Sequence, residues 1–361
     1  MSARALNRIR TLGRAALSIR PAARARPEEP RRILVLHELL LGDTLMLAPL
    51  LARLRARYRD ATIYVTARPA ILPLFSGRPY GAIPIPFDER APGALAGLEI
   101  ARDCDLAIVP GENRYTVTAR AVGARWIVAL ARGRPGWKNW GADELVEFPG
   151  QAANLGDIFA SLAAPGVAGA PRYRPGDWPA PAHEPFPSPQ APYALLHVGA
   201  STPLKYWPSE RWAALARHLS ARYTPVWSCG PKEADLIPQG AHPAYPGNLD
   251  LAQVWHLVAN ARVLVTLDTG VAHIAKLTGT RTACLFGPSS ARLTGRGEFW
   301  KDAPFTEVTV ADFPCRDQPV LFGREIAWVR TCRRTLAQCE RPRCMEALQV
   351  EDVVRALGAD A

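Results

Sequence analysis

Short apolar runs, each closed by glycine, proline or a polar cluster, punctuate this chain of 361 residues. Residues 33–36 (ILVL) show no polar alternation, the pattern of a parallel strand covered on both faces. From 44 to 58 the spacing becomes helical, with Arg53, Arg55, Arg57 and Arg59 marking the wetter end. Residues 62–66 are β-branched and strand-like, and Leu106–Val109 and Trp126–Leu130 are further apolar runs. Strands alternating with helices predict a doubly wound α/β domain over residues 31–167.

The texture changes between 168 and 192, where eight prolines fall. So few amide donors forbid a helix or a central strand, and the segment reads as a linker. The alternation then restarts. Residues 193–198, 225–228, Val263–Leu267 and Thr282–Phe286 read as strands. Helices are predicted at about 209–223 with Ser209 as N-cap, at 249–259, at 271–277, and at Val350–Leu357. A second α/β domain therefore covers 193–345, followed by a C-terminal helix within 346–361. Two such halves imply a cleft, with ligands at the carboxyl ends of the strands.

Charge changes this picture mainly at the N-terminus. The formal net charge is +11, and residues 1–32 hold nine arginines against Glu28 and Glu29, which is +7 and leaves +4 for the rest. Within the 1–30 arm Leu6, Ile9, Leu12, Ala16 and Ile19 recur at helical spacing until Pro21. A basic amphipathic helix suits an anionic membrane surface, and a disordered solubilising arm fits the same composition. No stripe of basic and aromatic residues and no nucleic-acid motif is present, so nucleic acid is not expected as a partner. No long uncharged apolar run and no secretory signal are visible, which makes a cytoplasmic chain the default, peripheral to the inner membrane if the arm binds lipid.

Seven cysteines are present. Cys104, Cys229 and Cys284 lie in or beside apolar runs and read as buried thiols. Cys315, Cys332, Cys339 and Cys344 cluster within 315–344. Four thiolates can hold zinc or iron, but the spacing lacks a Cys-x-x-Cys knuckle, so free thiols compete with a structural metal site.

Three strand-to-helix turns carry candidate chemistry. In Leu41-Gly42-Asp43-Thr44, Asp43 or Thr44 suits a helix cap, while a carboxylate facing a cleft suits a general base. In His197-Val198-Gly199-Ala200-Ser201-Thr202-Pro203-Leu204-Lys205, small residues let amides approach an anion. Ser201 and Thr202 add hydroxyls there and Lys205 a point charge. In Asp268-Thr269-Gly270-Val271-Ala272-His273, a helix N-terminus offers amides to a phosphate, Gly270 permits close approach, and Asp268 suits sugar hydroxyls. His273 lies one turn in; alone it would read as a hydrogen-bonded core histidine. No paired carboxylates for magnesium and no HExxH motif occur, so phosphate charge falls to amides and lysine.

The LGD turn, then HVGASTPLKYWPSERWAAL, then DTGVAHIAKLTGTRTACLFGP, in this order, resembles the lipopolysaccharide heptosyltransferase family from about Arg31 to Leu357. The resemblance implies a GT-B fold: two Rossmann-like α/β domains with parallel sheets facing a central cleft, the C-terminal one holding the nucleotide sugar. It implies inverting, metal-independent transfer, most often of heptose from ADP-heptose to a lipopolysaccharide core or related lipid-linked glycan acceptor. Asp43 then matches the family's catalytic base. Lys205 matches the lysine at the donor phosphates, and Ser201 and Thr202 the same loop's hydroxyls. Asp268, Thr269, Gly270 and His273 match the turn around diphosphate and sugar, and Glu233 an acidic position near the nucleoside. The sequence departs from the pattern at His37, where an arginine is usual, and at Arg281, where proline is common. Epimerase or hydrolase chemistry would need donor-side acid and base groups, for which only His273 and His197 offer themselves. A non-catalytic sugar-nucleotide binder would not need Asp43 and Lys205 together.

Overall fold

The computed structural model describes residues 3–17, 25–163, 171–190, 192–241 and 243–358. The chain forms two compact units. Unit 1 holds residues 1–171, 177–179 and 320–327, and unit 2 holds 172–176, 180–319 and 328–361. The proline-rich stretch 168–192 is thus shared between them, with 168–170 and 191 outside the described residues.

In unit 1, β1 (Arg32–Val35), β2 (Thr62–Ala67), β3 (Ile83–Pro86), β4 (Leu106–Val109), β5 (Trp126–Leu130) and β6 (Glu144–Val146) form one sheet in the order β3-β2-β1-β4-β5-β6. Every pair is parallel. Helices α1 (Ala3–Leu17), α2 (Leu41–Leu45), α3 (Ala48–Arg57), α4 (Arg114–Ala121) and α5 (Leu155–Ser161) accompany it. Unit 2 repeats the plan. Its strands β7 (Tyr193–His197), β8 (Thr224–Cys229), β9 (Ala244–Pro246), β10 (Val263–Leu267), β11 (Thr282–Phe286) and β12 (Phe305–Thr309) are ordered β12-β11-β10-β7-β8-β9, again all parallel. Counted within each unit the order is the same, 3-2-1-4-5-6, the Rossmann arrangement. Two such units make the GT-B fold expected from the sequence.

Burial explains which strands were legible. The five residues of β10 are all buried, as are those of β11, and each of their Val, Leu and Phe side chains contributes roughly 1.5–3 kcal/mol. Their apolar runs stand out. The edge strands β3, β6, β9 and β12 went unforeseen. β3 reads Ile-Pro-Ile-Pro, and proline survives in a sheet only at an edge.

Three helix expectations are corrected. The helix expected over 44–58 is two helices, α2 and α3, because Pro49, in the first turn of α3, has no amide to donate to a preceding turn. The N-cap of α2 is Leu40, and neither Asp43 nor Thr44 caps; Asp43 lies inside the first turn. Ser209 is the first residue of α6 (Ser209–Leu219), with Pro208 at the cap. Helices α7 (Leu251–Ala259), α8 (Gly270–Thr278) and α9 (Ala291–Thr294) follow. Asp250 closes α7 in a capping box with Gln253.

Near the C-terminus the short hairpin β13 (Val320–Leu321) and β14 (Arg324–Glu325) belongs to unit 1. Its Arg324 is buried, donating to the carbonyl of Ala131 at 2.8 Å and to the Asn113 side chain. Chain then returns to unit 2 through α10 (Arg343–Glu346) and α11 (Val350–Leu357), the latter packed in the core with Leu348 and Met345.

Candidate functional site

Each sheet has a switch point, where the chain leaves one strand for its far side and later returns to the other neighbour. In unit 2 that point lies between β7 and β10, paired Thr266 to His197. Lys205 comes from the loop after β7 and Asp268 from the end of β10. They meet: Lys205 Nζ donates to the Asp268 carbonyl at 2.6 Å and to its carboxylate Oδ2 at 3.1 Å. Thr294 Oγ1 donates to Oδ1 at 3.2 Å. Burial alone would raise the Asp268 pKa, but the Lys205 ammonium beside it outweighs burial and holds the carboxyl below the usual carboxylate range.

Helix α8 begins directly beyond this pair. Its N-cap, Thr269, is extended and makes no side-chain capping bond. Thr269 Oγ1 and His273 Nδ1 are buried and have no hydrogen-bond partner among the described residues. Burial and Lys276 hold His273 neutral. Two unsatisfied buried polar atoms at one helix N-terminus, where amides also point outward, are a costly arrangement unless a ligand completes it. Lys276 is not part of that opening. It is buried, donates to the Thr294 and Gly295 carbonyls at 3.1 and 2.9 Å, and lies 4.5 Å from the Trp300 ring centre. It ties α8 to the loop that supplies Thr294.

Glu233 is already engaged. Its carboxylate accepts from the Gly230 amide at 2.8 Å, the Ala200 amide at 2.9 Å and the Tyr206 hydroxyl at 3.2 Å. It binds the loop after β8 to the loop after β7, and a Cβ on either Gly199 or Gly230 would strike it. Within the β7 loop Ser201 is exposed, and Thr202 Oγ1 accepts from the Leu204 amide at 3.4 Å. His197 is buried against Ser228 Oγ at 3.0 Å and its pKa is lowered by burial to about 4. Both histidines nominated for epimerase-type acid and base work are thus buried and neutral.

Asp43 belongs to unit 1, in the first turn of α2 after β1, half-buried. Elsewhere in unit 1 the turns after the strands carry His37, noted above as a departure from the family pattern, and several groups the sequence had left unnoticed. His37 ends the same strand run. Burial, then Arg68, lowers its pKa to about 3, and its Nε2 lacks a partner among the described residues. Glu38 accepts from the Tyr115 hydroxyl at 2.6 Å, joining the turns after β1 and β4 across the switch point of this sheet. Arg114 Nη1 pairs with Glu89 at 2.9 Å and lies 4.7 Å from the Tyr115 ring centre. A cavity of about 340 Å³ opens here, lined largely by apolar atoms of Leu12, Phe87, Leu95, Val117 and Trp137. His37, Glu38 and Glu89 stand just after strands, the one signal that would have flagged them.

Cys104 and Cys284 are buried thiols, as expected, and burial pushes Cys104 to about 12. Cys315, Cys332, Cys339 and Cys344 line a single cavity of about 660 Å³ in unit 2. Burial and then the Cys332 thiol raise the Cys315 pKa. Among the described residues no three His, Cys, Asp or Glu side chains converge to metal-ligating geometry.

Comparison with known proteins agrees with the architecture. Residues 177–312 match the family model for glycosyltransferase family 9 (heptosyltransferase). A 180-residue stretch is 28% identical to lipopolysaccharide heptosyltransferase 1 of Pseudomonas aeruginosa, covering 47% of this chain and 48% of that protein. The chain thus spans about half the length of the curated relative it matches. The structure of E. coli ADP-heptose lps heptosyltransferase II superposes with a TM-score of 0.63 at 20% identity, over 90% of this chain and 98% of that one. TibC of enterotoxigenic E. coli, an iron-containing dodecameric heptosyltransferase solved with ADP-D-beta-D-heptose, gives 0.59 at 16% identity, over 93% and 78%.

Proposed function

From its kinship with the heptosyltransferases, we propose that this chain is an inverting glycosyltransferase. It moves a sugar, heptose from ADP-heptose, onto a lipopolysaccharide core or related lipid-linked acceptor. The observation that carries the reading is the opening at α8. Lys205, the Thr269 hydroxyl, His273 Nδ1 and the first α8 amides form a set of groups suited to a diphosphate, and two of them are unsatisfied without one.

In this reaction the acceptor hydroxyl attacks the anomeric carbon as the bond to the diphosphate breaks. Asp43 takes the hydroxyl proton. Lys205 and the α8 N-terminus meet the negative charge that grows on the leaving diphosphate, the step at which preorganised charge counts most. Thr202 and Ser201 extend the same loop. Asp268 holds Lys205 in place and offers its carboxylate to the donor, and Glu233 shapes the two loops that would flank the nucleoside. These groups supply base and charge stabilisation without a metal, so transfer should survive treatment with EDTA.

The four clustered cysteines share one cavity but do not converge to metal-ligating geometry among the described residues, so we propose free thiols, with a structural zinc or iron site as the alternative. TibC, of the same fold, is iron-containing and motivates that alternative. Metal analysis of the purified protein should find no stoichiometric metal, and one equivalent of zinc or iron would favour the alternative. A lipid-linked acceptor is the ground on which we propose a cytoplasmic site of action, peripheral to the inner membrane. Among the described residues no helix is long and apolar enough to cross a membrane.

The direct test incubates the protein with ADP-heptose and a heptose-deficient core acceptor and follows product by mass spectrometry. ADP-heptose should also raise the melting temperature, because it binds only the folded chain. No shift and no product with any nucleotide sugar would end this reading.

A further inference from the structure

Helix α1 is amphipathic, yet it docks by the wrong face. Asn7, Thr11 and Ala15 recur every four residues and so share one side of the helix. That side meets unit 1. Asn7 Nδ2 donates to the Glu89 and Ala91 carbonyls at 3.0 and 2.7 Å, and Ala15 is buried with Val117 and Ala121 of α4. Thr11 Oγ1 answers itself on the Asn7 carbonyl at 2.7 Å. The polar and small side of the helix is therefore the buried one. The apolar stripe looks out: Ile9 is 58% exposed, Leu12 55% and Leu17 90%.

A second set of apolar groups stands beside it. The turn after β5 presents Trp137 at 65% and Trp140 at 53% exposure. Leu12, Trp137 and Lys138 line the rim of one cavity, which places the helix stripe and the tryptophan turn on one face of unit 1. Exposing two tryptophans and three large aliphatics together is costly in water. Charge around the patch is basic, with Arg10 on α1 and Arg134 and Lys138 beside the tryptophans. The two glutamates of the cavity, Glu89 and Glu112, each pair with Arg114, at 2.9 and 3.1 Å.

We propose that this face, Ile9, Leu12 and Leu17 of α1 with Trp137 and Trp140, is the surface by which the protein lies on an anionic lipid bilayer. It deepens the lipid-linked acceptor reading above and rests on it. Tryptophan favours the headgroup level, where its ring is half apolar and half wet, and arginine and lysine reach anionic headgroups. A second copy of the chain would bring like charge against like, so a bilayer is the better complement. The same face carries the cavity at the carboxyl edge of the unit 1 sheet, which would bring that edge near the membrane that holds the acceptor.

Flotation of the full chain with phosphatidylglycerol vesicles tests this. The wild-type protein should float with them and not with phosphatidylcholine vesicles. Ile9→Gln with Leu12→Gln, and separately Trp137→Ser with Trp140→Ser, should each cut the bound fraction several-fold, and the four changes together should abolish it. Thermal shift with ADP-heptose should be unchanged in every variant, which separates a failed membrane face from a failed transferase. Wild-type-like flotation of the fourfold variant would overturn the proposal. So would a self-association in analytical ultracentrifugation that the variant loses while vesicle binding persists.

Discussion

The two units share one strand order and the same place for the switch point, yet furnish it differently. In unit 2 the loop after β7 and the end of β10 bring a lysine onto an aspartate, beside a helix whose first turn holds unsatisfied groups. In unit 1 the turns after β1 and β4 bring a glutamate onto a tyrosine, around an arginine already paired and an apolar cavity. One edge is made for a negatively charged ligand, the other for a partly apolar one. Each unit also sends a buried histidine to the end of its first strand run, His37 and His197, and only the second is hydrogen-bonded through its ring to a neighbouring side chain. The lesson is that the sheet fixes where a ligand sits, while a handful of residues after the strands decide what kind.

The largest effects should divide along that line. Asp43→Asn should lower kcat by about 10²–10⁴-fold and leave ADP-heptose affinity alone. Lys205→Met should weaken ADP-heptose binding by about 10- to 100-fold, the loss of a charge-assisted hydrogen bond. It should also destabilise unit 2 by roughly 3 kcal/mol, because the Asp268 carboxylate is left buried without its cation. Pairing it with Asp268→Leu should restore much of the stability and none of the binding. Calorimetry of donor binding showing Asp43→Asn to be the weaker binder, and Lys205→Met unaffected, would dissolve the division of labour.

A smaller effect concerns the two histidines. Each has a folded pKa below its unfolded value near 6.5, so each takes up a proton on unfolding in acid. The stability they contribute is whole above about pH 6.5. It falls as pH drops toward 4 for His197 and toward 3 for His37. Urea unfolding should show a slope of about 1.4 kcal/mol per pH unit for each histidine in that window. Replacing His197 with Gln should remove one share. A flat profile from pH 6.5 to 4.5 would mean both rings are solvated in the folded chain.

The smallest is at the α8 cap. Thr269→Val replaces a buried, unpartnered hydroxyl by a methyl of the same shape. Chemical denaturation should show stability unchanged or slightly raised, by about 0.5 kcal/mol or less. ADP-heptose affinity should nevertheless fall about tenfold. If stability falls and affinity holds, Thr269 is a structural cap and the opening at α8 is not waiting for a phosphate.

Sequence alone determined much of the frame. The inner strands β4, β5, β10 and β11 were readable because a strand covered on both faces must be apolar at every position. The second unit's turns were readable because amides at a helix start and a lysine nearby are local features. Edge strands were not, since an edge tolerates proline and half-exposure. Only the tertiary structure decided that Lys205 rests on Asp268, that Glu233 staples two loops, and that Glu38, Tyr115 and Arg114 gather at the first switch point. The pairs Glu38–Tyr115, Lys205–Asp268 and Tyr206–Glu233 lie between 27 and 77 residues apart, and parallel crossovers bring such distant positions side by side. The N-terminal helix shows the limit most plainly. Its periodicity announced an amphipathic stripe, and only packing revealed that the stripe is the side left bare.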